Sequence, residues 1–463
     1  MAEAELVPSV ISPTIHSAGI SACEKAGQWQ RALSLLCDMG DSILEADVII
    51  YSAGISACDR GGQWQRALSL LGEMREKRVE PNVVSYNAAI SACGTGGEWQ
   101  QASSLLFEIG ESSLEPDVFS YSSGISACEK CGRWQQALSL FGNLWETKVE
   151  ADVFTFSAGI SACEKGAQWQ HALSLLRDMG TAKMRFDVII YGAGVSACEK
   201  GGQWYQALSL LREAGNANLD LDAIIYNAGI SACEKCGQWQ QAVSLLRELR
   251  SLKLQPDDIS YNAGISACEK GREWQYALSL LIEMGEEAVD RNAISYNAGI
   301  SACEKAGHWE KALTLLREMR NSQVDPDVIC YNAGISACEK GNQWEVALSL
   351  LTEVVEAILE PDAISYSAGI GACHKGGQWQ QAVLLLSKMW KAKLAVGVIT
   401  CNAVISACER NKQWQWVLSL LVEMREAKLE PNVISFEYGI RACDKSWHAM
   451  RMPSLLSEVR KTV

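Results

Sequence analysis

Residues 258–292 read DISYNAGISACEKGREWQYALSLLIEMGEEAVDRN, and closely similar stretches precede and follow them along the chain. In the first half, Tyr261, Ile265 and Cys268 have the i, i+4, i+7 spacing of one apolar helical face. A second run, from Trp274 to Met284, has the i, i+3, i+4, i+7 spacing of another. The stretch therefore predicts a hairpin of two amphipathic helices.

The cysteine of the first predicted helix recurs every 35 residues along the chain. The residues at this position are Cys23, Cys58, Cys93, Cys128, Cys163, Cys198, Cys233, Cys268, Cys303, Cys338, Cys373, Cys408 and Cys443. A fixed period of this length is typical of solenoids, propellers and arrays, so it overrides the ~three domains that the chain length alone would suggest. We number each repeat so that this cysteine is residue 11.

Twelve complete repeats then occupy residues 13–432, preceded by a short lead of residues 1–12 and followed by a truncated capping repeat at 433–463. Within a repeat, the glycine at position 14, such as Gly271, is expected to end the first helix. One such hairpin cannot bury its own apolar face, so neighbouring hairpins should stack. We predict an all-α fold, an α-solenoid that forms a right-handed superhelix of about 13 helix-turn-helix repeats.

The composition, with 48% hydrophobic and 21% charged residues, is that of a globular chain. The sequence lacks the ~20 consecutive apolar residues that span a bilayer, so no membrane partner is expected. The first 20 residues contain no Lys or Arg, and neither a secretory signal nor a transit peptide is visible there. We interpret the regularly spaced cysteines as free thiols at a packed position in a reducing compartment.

Two cysteine pairs, Cys128 with Cys131 and Cys233 with Cys236, have the C-x-x-C spacing of a zinc half-site. They lie three repeats apart and cannot share one tetrahedral ion. The five histidines show neither metal-ligand nor catalytic-triad spacing. The sequence therefore predicts no metal, no cofactor, no catalytic residue and no enzymatic activity.

The repeated pattern Y-N-A-x-I-S-A-C-E-K-x-G-x-W-x-x-A-L-x-L-L-x-E-M, ending in P-D or P-N, resembles the pentatricopeptide repeat family with P-type repeats of 35 residues. The resemblance covers residues 13–463. It implies single-stranded RNA binding at one base per repeat. It also implies a role in post-transcriptional RNA processing, stability or translation, exerted by occupancy or by recruiting RNA-processing proteins. The family is mostly found in the mitochondrion or chloroplast; without a visible transit peptide, the cytoplasm and nucleus stay open.

Positions 2, 5, 9 and 13 share one face of the first helix, turned away from the Tyr/Ile/Cys face. Position 2 is apolar and is assigned as a clamp on RNA bases: Ile49, Val84, Phe119, Phe154, Ile189, Ile224, Ile259, Ile294, Ile329, Ile364 and Ile399. Position 13 is basic and is assigned as a phosphate contact: Lys25, Arg60, Lys130, Lys165, Lys200, Lys235, Lys270, Lys305, Lys340, Lys375 and Arg410. Bases present flat faces to apolar side chains and phosphates attract cations, so this face suits RNA.

In the family, positions 5 and 35 of a repeat read one base. The resemblance assigns this role to Ser17, Asp47, Ser52, Asn82, Asn87, Asp117, Ser122, Asp152, Ser157, Asp187, Asp222, Asn227, Asp257, Asn262, Asn292, Asn297, Asp327, Asn332, Asp362, Ser367, Asn402 and Asn432. Asp at position 35 suits the N–H of uracil or guanine, and Asn suits the acceptor of cytosine or adenine. Short Ser at position 5 leaves room for a purine, whereas Asn reaches a pyrimidine. The predicted target resembles 5′-GAUGGNUCUUNC-3′, with N where Gly192 or Gly397 replaces a reader.

Each feature also has a structural interpretation. The cation at position 13 could be a solvated helix end, Asp or Asn at position 35 a helix N-cap, and the apolar residue at position 2 part of the core. The Trp at position 17 of every complete repeat is interpreted as a packing residue. A net charge of −14 also suits a second class of function, a tetratricopeptide-like scaffold for protein–protein interaction.

Overall fold

The computed structural model describes residues 13–41, 46–112, 114–147 and 149–445. The predicted N-terminal lead and residues 446–463 of the predicted capping repeat lie outside this range. The described residues form 25 α-helices and no strand. No described helix has the length and apolar character needed to cross a membrane. The chain divides into two compact halves, Met1–Ala232 and Cys233–Val463.

Each repeat contributes two helices of nearly equal length. The first helices are α1 (Pro13–Lys25), α3 (Val48–Arg60), α5 (Val83–Thr95), α7 (Val118–Lys130), α9 (Val153–Lys165), α11 (Val188–Lys200), α13 (Ala223–Lys235), α15 (Asp258–Lys270), α17 (Ala293–Ala306), α19 (Val328–Lys340), α21 (Ala363–Lys375), α23 (Val398–Arg410) and α25 (Val433–Lys445). The second helices are α2 (Trp29–Asp41), α4 (Trp64–Glu76), α6 (Trp99–Glu111), α8 (Trp134–Glu146), α10 (Trp169–Thr181), α12 (Trp204–Asn216), α14 (Trp239–Ser251), α16 (Trp274–Glu286), α18 (Trp309–Asn321), α20 (Trp344–Glu356), α22 (Trp379–Lys391) and α24 (Trp414–Glu426).

Within each half, a first helix packs against the second helix of its own repeat and against the first helix of the next repeat. The predicted apolar face lies at these contacts, because Tyr261, Ile265 and Cys268 are fully buried. Burial raises the pKa of the Cys268 thiol to about 12, so this group stays protonated and packs as a small apolar residue. The prediction of an all-α solenoid of stacked helical hairpins is confirmed.

The glycine at position 14 follows the last residue of the first helix, as predicted, but its role is steric. Gly271 has an ordinary φ of −74°, and the left-handed residue of the turn is the next one, Arg272, at φ 61°. A Cβ atom at Gly271 would lie 2.4 Å from Cδ1 of Trp239 in the preceding repeat. The half-buried Trp ring thus packs on the bare glycine, which agrees with a packing role for position 17.

Candidate functional site

The apolar side chains at position 2 lie on the surface. Their exposed fraction ranges from 49% at Ile434 to 85% at Ile399, and the two phenylalanines, Phe119 and Phe154, are 57% and 61% exposed. The interpretation of position 2 as a core residue is therefore wrong. At least one large apolar side chain per repeat is exposed at the start of each first helix from α3 onward, and packing among the described residues does not account for it.

The side chains at positions 5 and 35 are brought together across 30 residues of sequence. Wherever position 5 is Asn and both residues lie in one half, its Nδ2 donates a hydrogen bond to the side-chain oxygen at position 35. These bonds are Asn87–Asp117 (3.1 Å), Asn262–Asn292 (3.4 Å), Asn297–Asp327 (3.4 Å), Asn332–Asp362 (3.1 Å) and Asn402–Asn432 (3.1 Å). The structure thus places the two residues of each such pair side by side. Only the family resemblance had suggested this pairing.

Position 35 is also the N-cap of the next helix. Oδ1 of Asp117 accepts a hydrogen bond from the backbone N–H of Ser120 at 2.8 Å, and equivalent caps occur at every described repeat junction except Gly397. The cap engages only one terminal atom of the side chain. Among the described residues, Oδ2 of Asp117 and Nδ2 of Asn432 have no hydrogen-bond partner. The terminal atom that the cap leaves unused is therefore a hydrogen-bond acceptor when position 35 is Asp and a donor when it is Asn.

At two position 35 residues, Asp117 and Asp362, the surroundings favour the ionised carboxylate. Burial raises the pKa of Asp117, but hydrogen bonds from Ser120 and Asn87 outweigh burial and lower the pKa below its usual value. The pKa of Asp362 is lowered for the same reasons, through Ser365 and Asn332. Both side chains are therefore charged acceptors at neutral pH.

In repeats with Ser at position 5, the side chains at positions 5 and 35 are not joined. No hydrogen bond joins Ser52 to Asn82, or any other Ser at position 5 to its position 35 partner, within the described ranges; Ser52 instead bonds to Ser85 at 2.8 Å. A groove of about 610 Å³ passes both Ser52 with Asn82 and the next pair, Asn87 with Asp117. It is lined by positions 2, 5, 9, 12 and 35 of neighbouring repeats. Four of the positions predicted to contact RNA (2, 5 and 9 of the first helix, and 35) therefore share one groove in this half.

The cations at position 13 form ion pairs with the acid at position 12 of the preceding repeat. The pairs are Arg60–Glu24 (3.6 Å), Lys165–Glu129 (2.6 Å), Lys200–Glu164 (3.0 Å), Lys270–Glu234 (2.5 Å), Lys305–Glu269 (2.9 Å), Lys340–Glu304 (2.6 Å) and Lys375–Glu339 (3.1 Å). These pairs were not predicted from the sequence, because the two residues of a pair lie on neighbouring first helices. The sequence signal that could have revealed these ion pairs is an acid followed 36 residues later by a cation, which recurs along the chain.

Two cations lack this carboxylate because the acid is replaced. Gly94 stands at position 12 before Lys130, and His374 stands there before Arg410. In the part of the chain that is described, neither Lys130 nor Arg410 makes an ion pair with a carboxylate. Burial lowers the pKa of His374, and Arg410 and Lys375 lower it further. The remaining two cations assigned as phosphate contacts, Lys25 and Lys235, are the last residues of α1 and α13.

The two cysteines of the first C-x-x-C pair differ in their surroundings. Cys128 is buried and Cys131 is half-buried, and Sγ of Cys131 donates to the backbone oxygen of Gly97 at 3.1 Å. No group of three or more His, Cys, Asp or Glu side chains that could hold a metal ion is found among the described residues.

Family models match the chain along most of its length. The pentatricopeptide repeat domain matches residues 34–96 and 383–445, and the PPR repeat family matches residues 81–130, 221–270 and 291–340. A third model, the PPR repeat, matches residues 20–42, 119–146 and 259–289. Among curated proteins, no sequence matches significantly.

Solved structures of several repeat proteins are similar. The crystal structure of PPR10 from maize is 17% identical with a TM-score of 0.48, and the match covers 97% of this chain and 79% of that chain. PPR10 in complex with an 18-nt psaJ RNA element is 16% identical with a TM-score of 0.38, covering 98% and 81%. Yeast Rmd9p in complex with a 16-nt target RNA is 11% identical with a TM-score of 0.32, covering 74% and 91%. With its repeat models matching well over half of its residues, the chain belongs to the pentatricopeptide repeat family.

Proposed function

We propose that the chain binds single-stranded RNA along the first helices of its repeats, at one base per repeat. The observation that carries this proposal is the exposed apolar residue at position 2, which recurs beside a polar pair in successive repeats. Unpaired bases require an apolar surface for their faces and hydrogen-bonding groups for their edges. A folded chain gains nothing by exposing Phe119 or Ile329 in this way, whereas a base stacked on either side chain would cover it. Membership of the pentatricopeptide repeat family supports the same function.

Position 35 would select the hydrogen-bonding class of the base. A free carboxylate oxygen, as in Asp117, accepts the N–H of uracil or guanine, and a free amide nitrogen, as in Asn432, donates to cytosine or adenine. The N-cap and the base reader, taken as alternatives from the sequence, are compatible because each uses a different atom of the side chain.

Position 5 would select the size of the base. Asn at this position extends to its partner at position 35, as in the Asn332–Asp362 pair, and narrows the site. Ser52 is shorter than Asn and makes no bond to Asn82, so on its side of the groove a purine should find more space. The resulting target is 5′-GAUGGNUCUUNC-3′-like, read from the N-terminal repeat onward.

The cations at position 13 would contact phosphates even though most of them are paired with a glutamate. An ammonium group has three N–H donors, and the pair Lys340–Glu304 uses one or two of them. Exposed ion pairs of this kind contribute only about 0–1 kcal/mol, so a phosphate competes for the lysine at little cost.

Binding of this kind acts by occupancy or by recruitment of RNA-processing proteins, without chemistry of its own. We place it in post-transcriptional RNA processing, stability or translation in a mitochondrion or chloroplast, on the family resemblance alone. Filter binding to a mixed pool of single-stranded RNA at about 50 mM salt tests RNA binding itself, because phosphate contacts are least screened there. Saturable, single-strand-selective binding is expected. Absence of saturable binding would contradict the proposal and favour a scaffold for protein partners.

A further inference from the structure

We propose that the side chain at position 3 of a repeat orients the base-reading asparagine of the preceding repeat and is therefore a specificity-determining positioning residue. The inference rests on the proposed reading of RNA by positions 5 and 35. Position 3 is the third residue of a first helix, and from α3 onward its side chain is buried. Ser120, Ser365 and Ser435, for example, are fully buried.

The position 3 hydroxyl bonds to the amide oxygen of the reader. Oγ of Ser120 lies 2.6 Å from Oδ1 of Asn87, and the same distance separates Ser365 from Asn332. Ser435 contacts Asn402 identically, at 2.6 Å. A fourth reader, Asn297, receives its hydrogen bond from the thiol of Cys330 instead of a hydroxyl.

This bond fixes which way the amide faces. With Oδ1 of Asn332 held by Ser365, the amide nitrogen faces Asp362, to which it donates at 3.1 Å. The nitrogen carries a second N–H, which remains for the pyrimidine edge. In the Asn402–Asn432 pair no carboxylate is present to repel a flipped amide, so Ser435 is the residue that distinguishes the two orientations.

One repeat shows that the amide oxygen has no substitute donor. The hydroxyl of Ser295 bonds to Asn292 rather than to the preceding reader, and Oδ1 of Asn262 is then buried without a hydrogen bond. A buried amide oxygen without a donor costs free energy. The nitrogen of Asn262 still donates to Asn292, at 3.4 Å, so a position 3 donor is the group that would satisfy the oxygen and stabilise this orientation.

In the amino-acid sequence, the residue at position 3 also varies with the residue at position 5 of the preceding repeat. Every Asn at position 5 is followed in the next repeat by a donor at position 3: Ser120, Ser260, Ser295, Cys330, Ser365 or Ser435. Ile occurs at position 3 in four repeats. Ile15 lies in the first repeat; for Ile50, Ile190 and Ile225, position 5 of the preceding repeat is Ser17, Ser157 or Gly192. No Asn reader is paired with Ile. A short reader has no amide oxygen to satisfy, so an apolar neighbour is tolerated.

Rewriting repeat 5 tests this dependence. Its pair Ser157/Asp187 is expected to read G, and the next position 3 residue is the fully buried Ile190. Ser157→Asn combined with Ile190→Ser should change the preference at the fifth base from G to U by at least about tenfold, the worth of one well-placed discriminating contact. Ser157→Asn alone should fall well short of this switch, and Ile190→Ser alone should keep the preference for G. A complete switch by Ser157→Asn alone would overturn the proposal.

Removing a native donor gives the converse test. Ser365→Ala should reduce the preference for U at the tenth base several-fold. Ser365→Thr keeps a hydroxyl and should retain the preference for U, since Thr155 and Thr400 occupy the same position elsewhere. Thr155→Val is the matched control, because Thr155 bonds only to its own N-cap, Asp152, and serves no asparagine. It should lower the melting temperature without changing base preference.

If Ser365→Ala also lowers only the melting temperature, position 3 is a capping residue and the inference is wrong, although RNA binding stands. If the unaltered chain fails to bind RNA, the proposed function fails first, and this inference fails with it. Base preference at the other positions serves as the internal reference in both experiments.

Discussion

Glycine at position 14 has no Cβ atom, which lets the Trp ring of the preceding repeat pack directly against it. A Cβ atom at Gly341 would lie 2.2 Å from Cδ1 of Trp309, closer than any real contact. We expect Gly341→Ala to lower the free energy of unfolding by about 1–3 kcal/mol, the usual cost of overpacking. Gly215→Ala is the control, because that glycine lies inside α12 with open space around it; there Ala should stabilise by about 0.5–1 kcal/mol. Urea unfolding of the two variants measures both effects, and equal midpoints would contradict the packing role.

The exposed phenylalanines at position 2 make a second prediction at this scale. Phe119→Ala and Phe154→Ala should each weaken RNA binding by about 1–3 kcal/mol, because a base loses its stacking surface. Their melting temperatures should change little, since both side chains are more than half exposed. Phe107 is 70% exposed but lies on the second helix α6, so Phe107→Ala should leave affinity unchanged. If all three variants bind alike, position 2 does not clamp bases.

At the scale of the helix, the junction between repeats combines a cap with a reader, and the two roles separate experimentally. Ser52→Asn with Asn82→Asp should change the preference at the second base from A to U by at least about tenfold. Asp remains a competent N-cap for α5, so the melting temperature should not fall. Ser85 already supplies the position 3 hydroxyl for the introduced amide. If the double variant folds, binds RNA and still prefers A, the side chains at residues 52 and 82 do not read the base and are only a surface amide and a helix cap.

Periodicity predicted the helical hairpins because the buried positions of each helix recur with helical spacing, as Tyr261, Ile265 and Cys268 do. It could not decide whether Ile259, at position 2, is core or surface, because exposure depends on how the next first helix packs beside it. The partners of Lys305 and Asn332 lie 36 and 30 residues away along the chain, on neighbouring helices. Such contacts are fixed by stacking between repeats, which local sequence patterns do not report.

At the scale of the whole molecule, a chain with a net charge of −14 binds a polyanion only through local cations. We expect the logarithm of affinity to fall with the logarithm of salt concentration by about 0.7 per phosphate contacted. Replacing Lys270, Lys305 and Lys340 by Ala should flatten this slope by roughly 2 and weaken all RNA sequences alike. Salt titrations with two unrelated RNAs measure both effects. An altered sequence preference would show that these lysines do not contact phosphates.

The most direct test of one base per repeat is selection of binding sequences from a random single-stranded RNA pool by the full chain. The reader pairs predict enrichment of a 5′-GAUGGNUCUUNC-3′-like sequence, with open positions at the sixth and eleventh bases, where Gly192 and Gly397 stand in the reader positions. The distinction between C and U should be the weakest at the eighth and twelfth bases, which face Asn/Asn pairs. Enriched RNAs without this order, or binding without any sequence preference, would contradict the account.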